Sequence, residues 1–187
     1  MSVRASLQWL HLVFYSGIAG LAVACSPADY VGGSTSLNSR YTDEHPAISG
    51  NSRFLAFVSN RNGSRHILMY DLQQQQLISV PHLNWRESIA ESPSLSYTGR
   101  YIVYIASDQG KPTLVLYDRV TQQPQLLSQG YQGWVRNPSI SSDGRYIVFE
   151  SGSRGQWDIE VIDRGPNIEL DIPDGVPASS SSQIPSL

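Results

Sequence analysis

The chain has 187 residues, room for one ordinary domain, and a formal net charge of −3. That balance leaves no basic footprint and argues against nucleic acid as the main partner. Lys111 is the single lysine among 13 basic residues, so arginine carries nearly all the positive charge.

Residues 1–24 read as a signal peptide, to be set aside before the fold is considered. Arg4 supplies a positive start, and residues 5–24 carry no formal charge, with Leu12-Val13-Phe14 and Ile18-Ala19-Gly20-Leu21 strongly apolar. The stretch ends in Ala22-Val23-Ala24, a small-x-small cleavage pattern. A membrane-spanning anchor is the competing reading. Gln8, His11, Ser16 and the abrupt small-residue ending weigh against it. Cys25 follows at once and is the only cysteine, so an internal disulfide is not available to it. Leu21-Ala22-Val23-Ala24-Cys25 resembles the lipobox of bacterial lipoprotein signals, although the family prefers leucine where Ala22 stands. The resemblance implies lipidation of Cys25 and anchoring to a membrane. Residues 25–38, rich in serine and glycine, are expected to form a flexible tether. At the other end, residues 172–187 hold three prolines and four consecutive serines and are expected to be a disordered tail.

Between these ends lies one unit repeated three times. Segments 46–71, 93–118 and 138–163 align without a gap over 26 residues, at offsets of 47 and 45, within the roughly 40–50 residue period of propeller blades. Five positions are identical in all copies: Pro46/Pro93/Pro138, Ser49/Ser96/Ser141, Arg53/Arg100/Arg145, Gly63/Gly110/Gly155 and Asp71/Asp118/Asp163. Each copy reads as four short strands. The first is Ala47–Ser49 and its counterparts. The second runs over Phe54–Val58, Tyr101–Ala106 and Tyr146–Phe149, and the third over Ile67–Tyr70, Leu114–Tyr117 and Ile159–Ile162. The fourth is expected at Leu77–Val80, Gln125–Ser128 and Ile168–Ile172. Enrichment in β-branched and aromatic residues, punctuated by Gly, Asn and Asp, is the basis for these strands. In a hairpin, facing residues have a constant number sum. Arg53 and Asp71 therefore centre on the turn, as do Arg100 with Asp118 and Arg145 with Asp163. These six residues are expected to pair across strands and fix register.

The stretch Pro138-Ser139-Ile140-Ser141-Ser142-Asp143-Gly144-Arg145-Tyr146-Ile147-Val148-Phe149 resembles the TolB-like (WD40-like) β-propeller repeat, and the resemblance covers nearly the whole repeat region. Copy two keeps Gly99 but has Thr98 for the aspartate, and copy one has Asn51-Ser52. The implied fold is all-β and propeller-like: residues 39–171 as three four-stranded antiparallel blades (46–92, 93–137 and 138–171). Such propellers generally close with six blades, so three make a partial or half ring with open apolar flanks. Residues 35–41 are expected to pair with a terminal blade. Association of two chains into one ring is the expectation for the flanks, with an open stack or a partner supplying the missing blades as alternatives.

No catalytic constellation emerges, and no cofactor is implied. His45, His66 and His82 lack metal-ligand spacing, and nucleophile-elbow and P-loop signatures are absent. A non-enzymatic interaction module of the bacterial cell envelope is therefore expected, contacting envelope proteins. A small-ligand or glycan sensor is the alternative. Blade topology sends the inter-blade connections and the second-to-third-strand hairpins to one end. That end gathers Tyr41, Trp85, Arg86, Tyr131, Trp134, Arg136 and Trp157, residue types enriched at interface hot spots, with Arg61, Arg65, Lys111 and Arg154 beside them. The competing reading of Trp85 and Trp134 is inward packing between blades.

Overall fold

The computed structural model describes residue 37 and residues 39–84, 88–108, 110–128 and 133–173. The chain divides into two units, Met1–Asn38 and Ser39–Leu187, and every element below belongs to the second. The expected signal peptide, Cys25, nearly all of the tether and residues 174–187 lie outside the described residues. So do Trp85, Arg86 and Tyr131.

Eleven strands form among the described residues, in three antiparallel sheets taken in chain order. Blade 1 holds β1 (Asp43–Ile48), β2 (Phe54–Ser59), β3 (His66–Asp71) and β4 (Gln76–Ile78). Blade 2 holds β5 (Ile89–Leu95), β6 (Tyr101–Asp108), β7 (Lys111–Asp118) and β8 (Gln123–Leu126). Blade 3 holds β9 (Val135–Ile140), β10 (Tyr146–Ser151) and β11 (Asp158–Asp163). Each sheet is a meander, every strand pairing with its sequence neighbour.

The first strands begin earlier than the repeat boundaries suggest. In each, the pairing register shifts around the repeated proline. The residue before that proline is left-handed, with φ of 52° at His45, 51° at Ser92 and 50° at Asn137. Proline has no N–H for the ladder and tolerates a bulge. The repeated prolines thus mark a bulge inside the strand rather than its start.

The repeated serine closes the turn between first and second strands. Ser49 Oγ accepts the Phe54 N–H at 2.9 Å, and Ser96 and Ser141 treat Tyr101 and Tyr146 alike, each at 2.9 Å. The repeated glycine sits in the next turn at φ of 86°, 82° and 80°.

Arginine and aspartate meet in all three blades. Arg53 Nε lies 3.1 Å from Asp71, Arg100 Nε 3.2 Å from Asp118 and Arg145 Nε 2.8 Å from Asp163. The pairing is diagonal, one residue off the expected register. Asp71 faces Phe54, Asp118 faces Tyr101 and Asp163 faces Tyr146. The turn is centred between two residues rather than on one, so each arginine stands just before its strand and reaches across. Its backbone carbonyl accepts the next N–H instead, as in Leu72 N to Arg53 O at 2.8 Å.

The Arg145 hydrogen bonds, followed by the Gly165 N–H, hold the Asp163 carboxyl down at about 2. A depressed carboxyl contributes stability above its ordinary value of 3.8, and that contribution is lost as pH falls towards about 2. The Asp163→Asn variant is therefore expected to lose less stability over this interval than the parent. Urea midpoints at matched pH test this, and parallel profiles would overturn it.

Blade 3 departs from the expectation of four strands. Residues 168–172 form no strand. Instead the chain turns back from β11 to the first-to-second-strand turns of blades 2 and 3. Asp171 N donates to Asp143 O at 2.8 Å, and Tyr101 Oη donates to Glu169 O at 2.6 Å. Arg100 Nη1 meets Glu169 Oε2 at 2.8 Å. The Asp171 side chain, 5% exposed, accepts from Ser96 Oγ, Thr98 N and Thr98 Oγ1 at 2.5, 2.7 and 2.6 Å. In blades 1 and 3 the serine hydroxyl donates within its own turn, to Asn51 and Asp143. Blade 2 has Thr98 there, and Asp171 supplies the missing acceptor.

Two apolar seams hold the blades together. One joins Phe54, Ala56, Val58, Ile67 and Met69 of blade 1 to Leu95, Ile102, Tyr104, Val115 and Tyr117 of blade 2. The other joins Tyr101, Val103, Ile105, Leu114 and Leu116 of blade 2 to Val135, Ile140, Ile147 and Phe149 of blade 3. Strands of blade 2 are buried on both faces, which explains why they read as continuous apolar runs. Each large side chain so buried contributes about 1.5–3 kcal/mol. The buried hydroxyls of Tyr104 and Tyr117 donate to the carbonyls of Leu83 and Pro81. Arginines cross both seams: Arg119 lies 4.3 Å from the Phe54 ring centre, and Arg164 lies 4.2 Å from that of Tyr101.

Candidate functional site: an aromatic and arginine surface

The segment entering β9 and the β10–β11 hairpin converge at one end of blade 3. Gly152 N donates to Trp134 O at 2.8 Å, tying the two together. Gly133 fits because a Cβ there would lie 2.8 Å from Ser153 Cα. Trp134 is 62% exposed and Trp157 is 46% exposed, so inward packing does not describe Trp134. The Arg136 guanidinium lies 3.8 Å from the Trp157 ring centre, a cation–π distance.

Arg136 is held from the other side by Glu150, Nε to Oε2 at 2.6 Å, and Asn137 Nδ2 donates to Glu150 Oε1 at 2.9 Å. The Asn137 amide first, and Arg136 second, keep the Glu150 carboxyl below its usual range. Glu150 therefore remains charged and fixes the arginine over the indole. A groove of about 280 Å³ runs beside Trp134, lined also by Gly110, Lys111, Pro112 and Gly133.

Of the residues expected at this end, Trp134, Arg136 and Trp157 are brought together. Tyr41 lies at the corresponding place in blade 1, entering β1 beside the β2–β3 turn, where Thr42 N donates to Asn60 Oδ1 at 3.1 Å and Arg40 stacks on the Tyr41 ring at 5.1 Å. Arg61 pairs with Asp43 at 3.0 Å, and Arg154 with Asp158 at 3.1 Å. Arg65 bridges the first strands of two blades, meeting Glu44 at 2.8 Å and Glu91 at 3.2 Å. Sequence reasoning passed over Glu150 and Asn137. Their signal was a charged residue within an apolar second strand, where blades 1 and 2 have Val58 and Ile105.

Among the described residues, no group of three or more His, Cys, Asp or Glu side chains is placed to hold a metal ion. His45 instead contacts Ser92, Nδ1 to Oγ at 3.3 Å, where two inner-strand bulges meet.

No protein-family model matches the sequence, and neither does any curated protein. Solved structures do resemble the fold. TolB from Acinetobacter baumannii is 24% identical, with a TM-score of 0.59 over 69% of this chain and 31% of that one. A protein assigned as TolB in Agrobacterium tumefaciens is 16% identical, with a TM-score of 0.54 over 74% of this chain and 51% of that one. Oligogalacturonate lyase from Vibrio parahaemolyticus is 15% identical, with a TM-score of 0.50 over 69% and 38%. This chain thus spans between about a third and a half of the proteins it resembles. The fold is that of a β-propeller segment of three consecutive blades.

Proposed function

We propose that this chain is a non-enzymatic protein-interaction module of the bacterial cell envelope. The observation that carries this is the Trp134, Arg136 and Trp157 surface. Two large aromatic side chains stand exposed, and an arginine is held over one of them, Trp157, by Glu150. Exposed Trp and Arg held rigid before binding lose little entropy on association, which is why such residues dominate interfaces. The envelope location rests on the apolar start of the chain, the cleavage pattern and Cys25, together with the likeness to TolB. In this reading a lipidated Cys25 tethers the blades to a membrane.

A second reading is favoured by the groove beside Trp134, whose exposed indole could stack against a sugar ring and bind a glycan. Affinity capture from envelope extracts, comparing the native chain with a Trp134→Ala/Trp157→Ala double variant, separates the two. The expected result is at least a roughly tenfold loss of a captured protein, with unchanged melting and an acylated Cys25 in the mass spectrum. An unchanged set of captured proteins would overturn the reading, and glycan-array binding lost in the double variant would favour the second.

A further inference from the structure

The repeat lets each exposed position be compared with the same position in the other blades. Each blade has a leading face towards the next blade and a trailing face towards the previous one. On the leading faces of blades 1 and 2, Phe54, Ile67 and Met69, and their equivalents Tyr101, Leu114 and Leu116, are at most 8% exposed. The equivalents in blade 3 are Tyr146, Ile159 and Val161, and they are 42%, 70% and 58% exposed. The other flank is open in part: Phe57 and Tyr70, the blade 1 equivalents of the trailing-face Tyr104 and Tyr117, are 3% and 7% exposed, but Ile48 and Leu77 stand open. Leu95 and Ile140, on the trailing faces of blades 2 and 3, are each 7% exposed, whereas their blade 1 equivalent Ile48 is 56% exposed.

We propose that the leading face of blade 3 docks on the trailing face of blade 1 in a second copy of this chain. The chain itself makes that contact twice over, since each internal seam joins one leading face to one trailing face. The chain ends its three blades with an uncovered leading face and a trailing face open at Ile48 and Leu77, so its flanks are complementary to each other rather than each to itself. Such a head-to-tail contact is heterologous and closes when the rotation permits. Tyr146 marks the gap most clearly. Phe54 and Tyr101 are each stacked by an arginine from their own blade and another from the next. Among the described residues Tyr146 has only Arg145, at 5.0 Å. In the second copy the position of Arg119 and Arg164 is taken by Leu72, which would cover the ring with an aliphatic side chain.

Sedimentation velocity of the full chain in a mild non-ionic detergent tests this. The chain is expected to associate at micromolar concentration. Ile159→Glu and Ile48→Glu are each expected to weaken association by roughly tenfold or more, because each places a charge in an apolar seam. Both sites are exposed in the single chain, so the circular dichroism of each variant should match the parent. Val161→Glu and Leu77→Glu serve as replacements if either fails to fold. Mixing the two variants should restore a two-chain complex, since one intact leading face then meets one intact trailing face. A monomeric parent, or an Ile48→Glu variant that associates like the parent, would overturn the proposal.

Discussion

Replacing Asp171 with alanine is expected to lower the stability of the blade unit by about 2–4 kcal/mol, among the largest effects of any single polar substitution here. The carboxylate accepts three hydrogen bonds from the blade 2 turn, and its side chain is buried against that turn. Alanine would leave Ser96 Oγ, Thr98 N and Thr98 Oγ1 without this acceptor where water reaches poorly. Ser96 Oγ keeps a longer bond to Tyr101 O at 3.3 Å, while each Thr98 donor left unpaired costs on the order of 1–3 kcal/mol, less some local relaxation. The repeat itself supplies the rescue. Blades 1 and 3 satisfy the same serine from within the turn, through Asn51 and Asp143. Thr98→Asp should therefore recover much of the loss in the Asp171→Ala background. In the parent it should be destabilising, because it would set two carboxylates against one serine. Denaturant midpoints for the four proteins of this cycle give the coupling, expected to exceed about 1 kcal/mol. If Thr98→Asp acted alike in both backgrounds, the account of Asp171 as a substitute acceptor would fail.

Gly144→Ala is expected to cost about 2–4 kcal/mol, against about 1 kcal/mol for Gly99→Ala at the same place in the preceding blade. Both glycines are left-handed, at φ of 79° and 69°. That conformation alone is tolerable, since blade 1 carries Ser52 there at φ of 58°. The difference lies in the seam. A Cβ on Gly144 would stand 2.4 Å from Tyr101 Cδ2, whereas one on Gly99 would meet nothing nearer than 3.4 Å. The Tyr101 ring has little freedom to yield. Its hydroxyl is bound to Glu169 O, and Arg164 stacks on it. Thermal melting of the two variants side by side tests the seam. Equal losses would mean that only backbone conformation matters at these turns.

The fold was legible because its signals are local and repeated. Five identical positions at fixed offsets, with apolar strands in step, suffice to place three blades and most of their strands. The arginine–aspartate pairs could be read from number sums alone, although the register came out one residue away. A hairpin's centre depends on the turn conformation, and a one-residue difference there leaves long side chains still able to meet. The bulges at the repeated prolines were not legible, because a left-handed residue such as His45 or Ser92 carries no compositional mark.

The candidate site was half visible. Trp134, Arg136 and Trp157 stood out by type and by the end of the blade to which topology sends them. Glu150 did not, since its role depends on lying across the strand from Arg136. The greatest departure lies after β11. Residues 168–172 have the apolar content of a fourth strand, and nothing in their own sequence forbids one. What draws them away is the unfilled acceptor position at Thr98, more than seventy residues earlier, which only a folded chain brings beside Asp171. Sequence alone determined the number of blades, the turns that build them and the apolar strands they bury, since these follow from short-range pattern. Tertiary structure decided which faces those blades cover, which residues of the outer flanks stay open and where the last segment is tied, because each depends on groups that meet only once the blades are stacked.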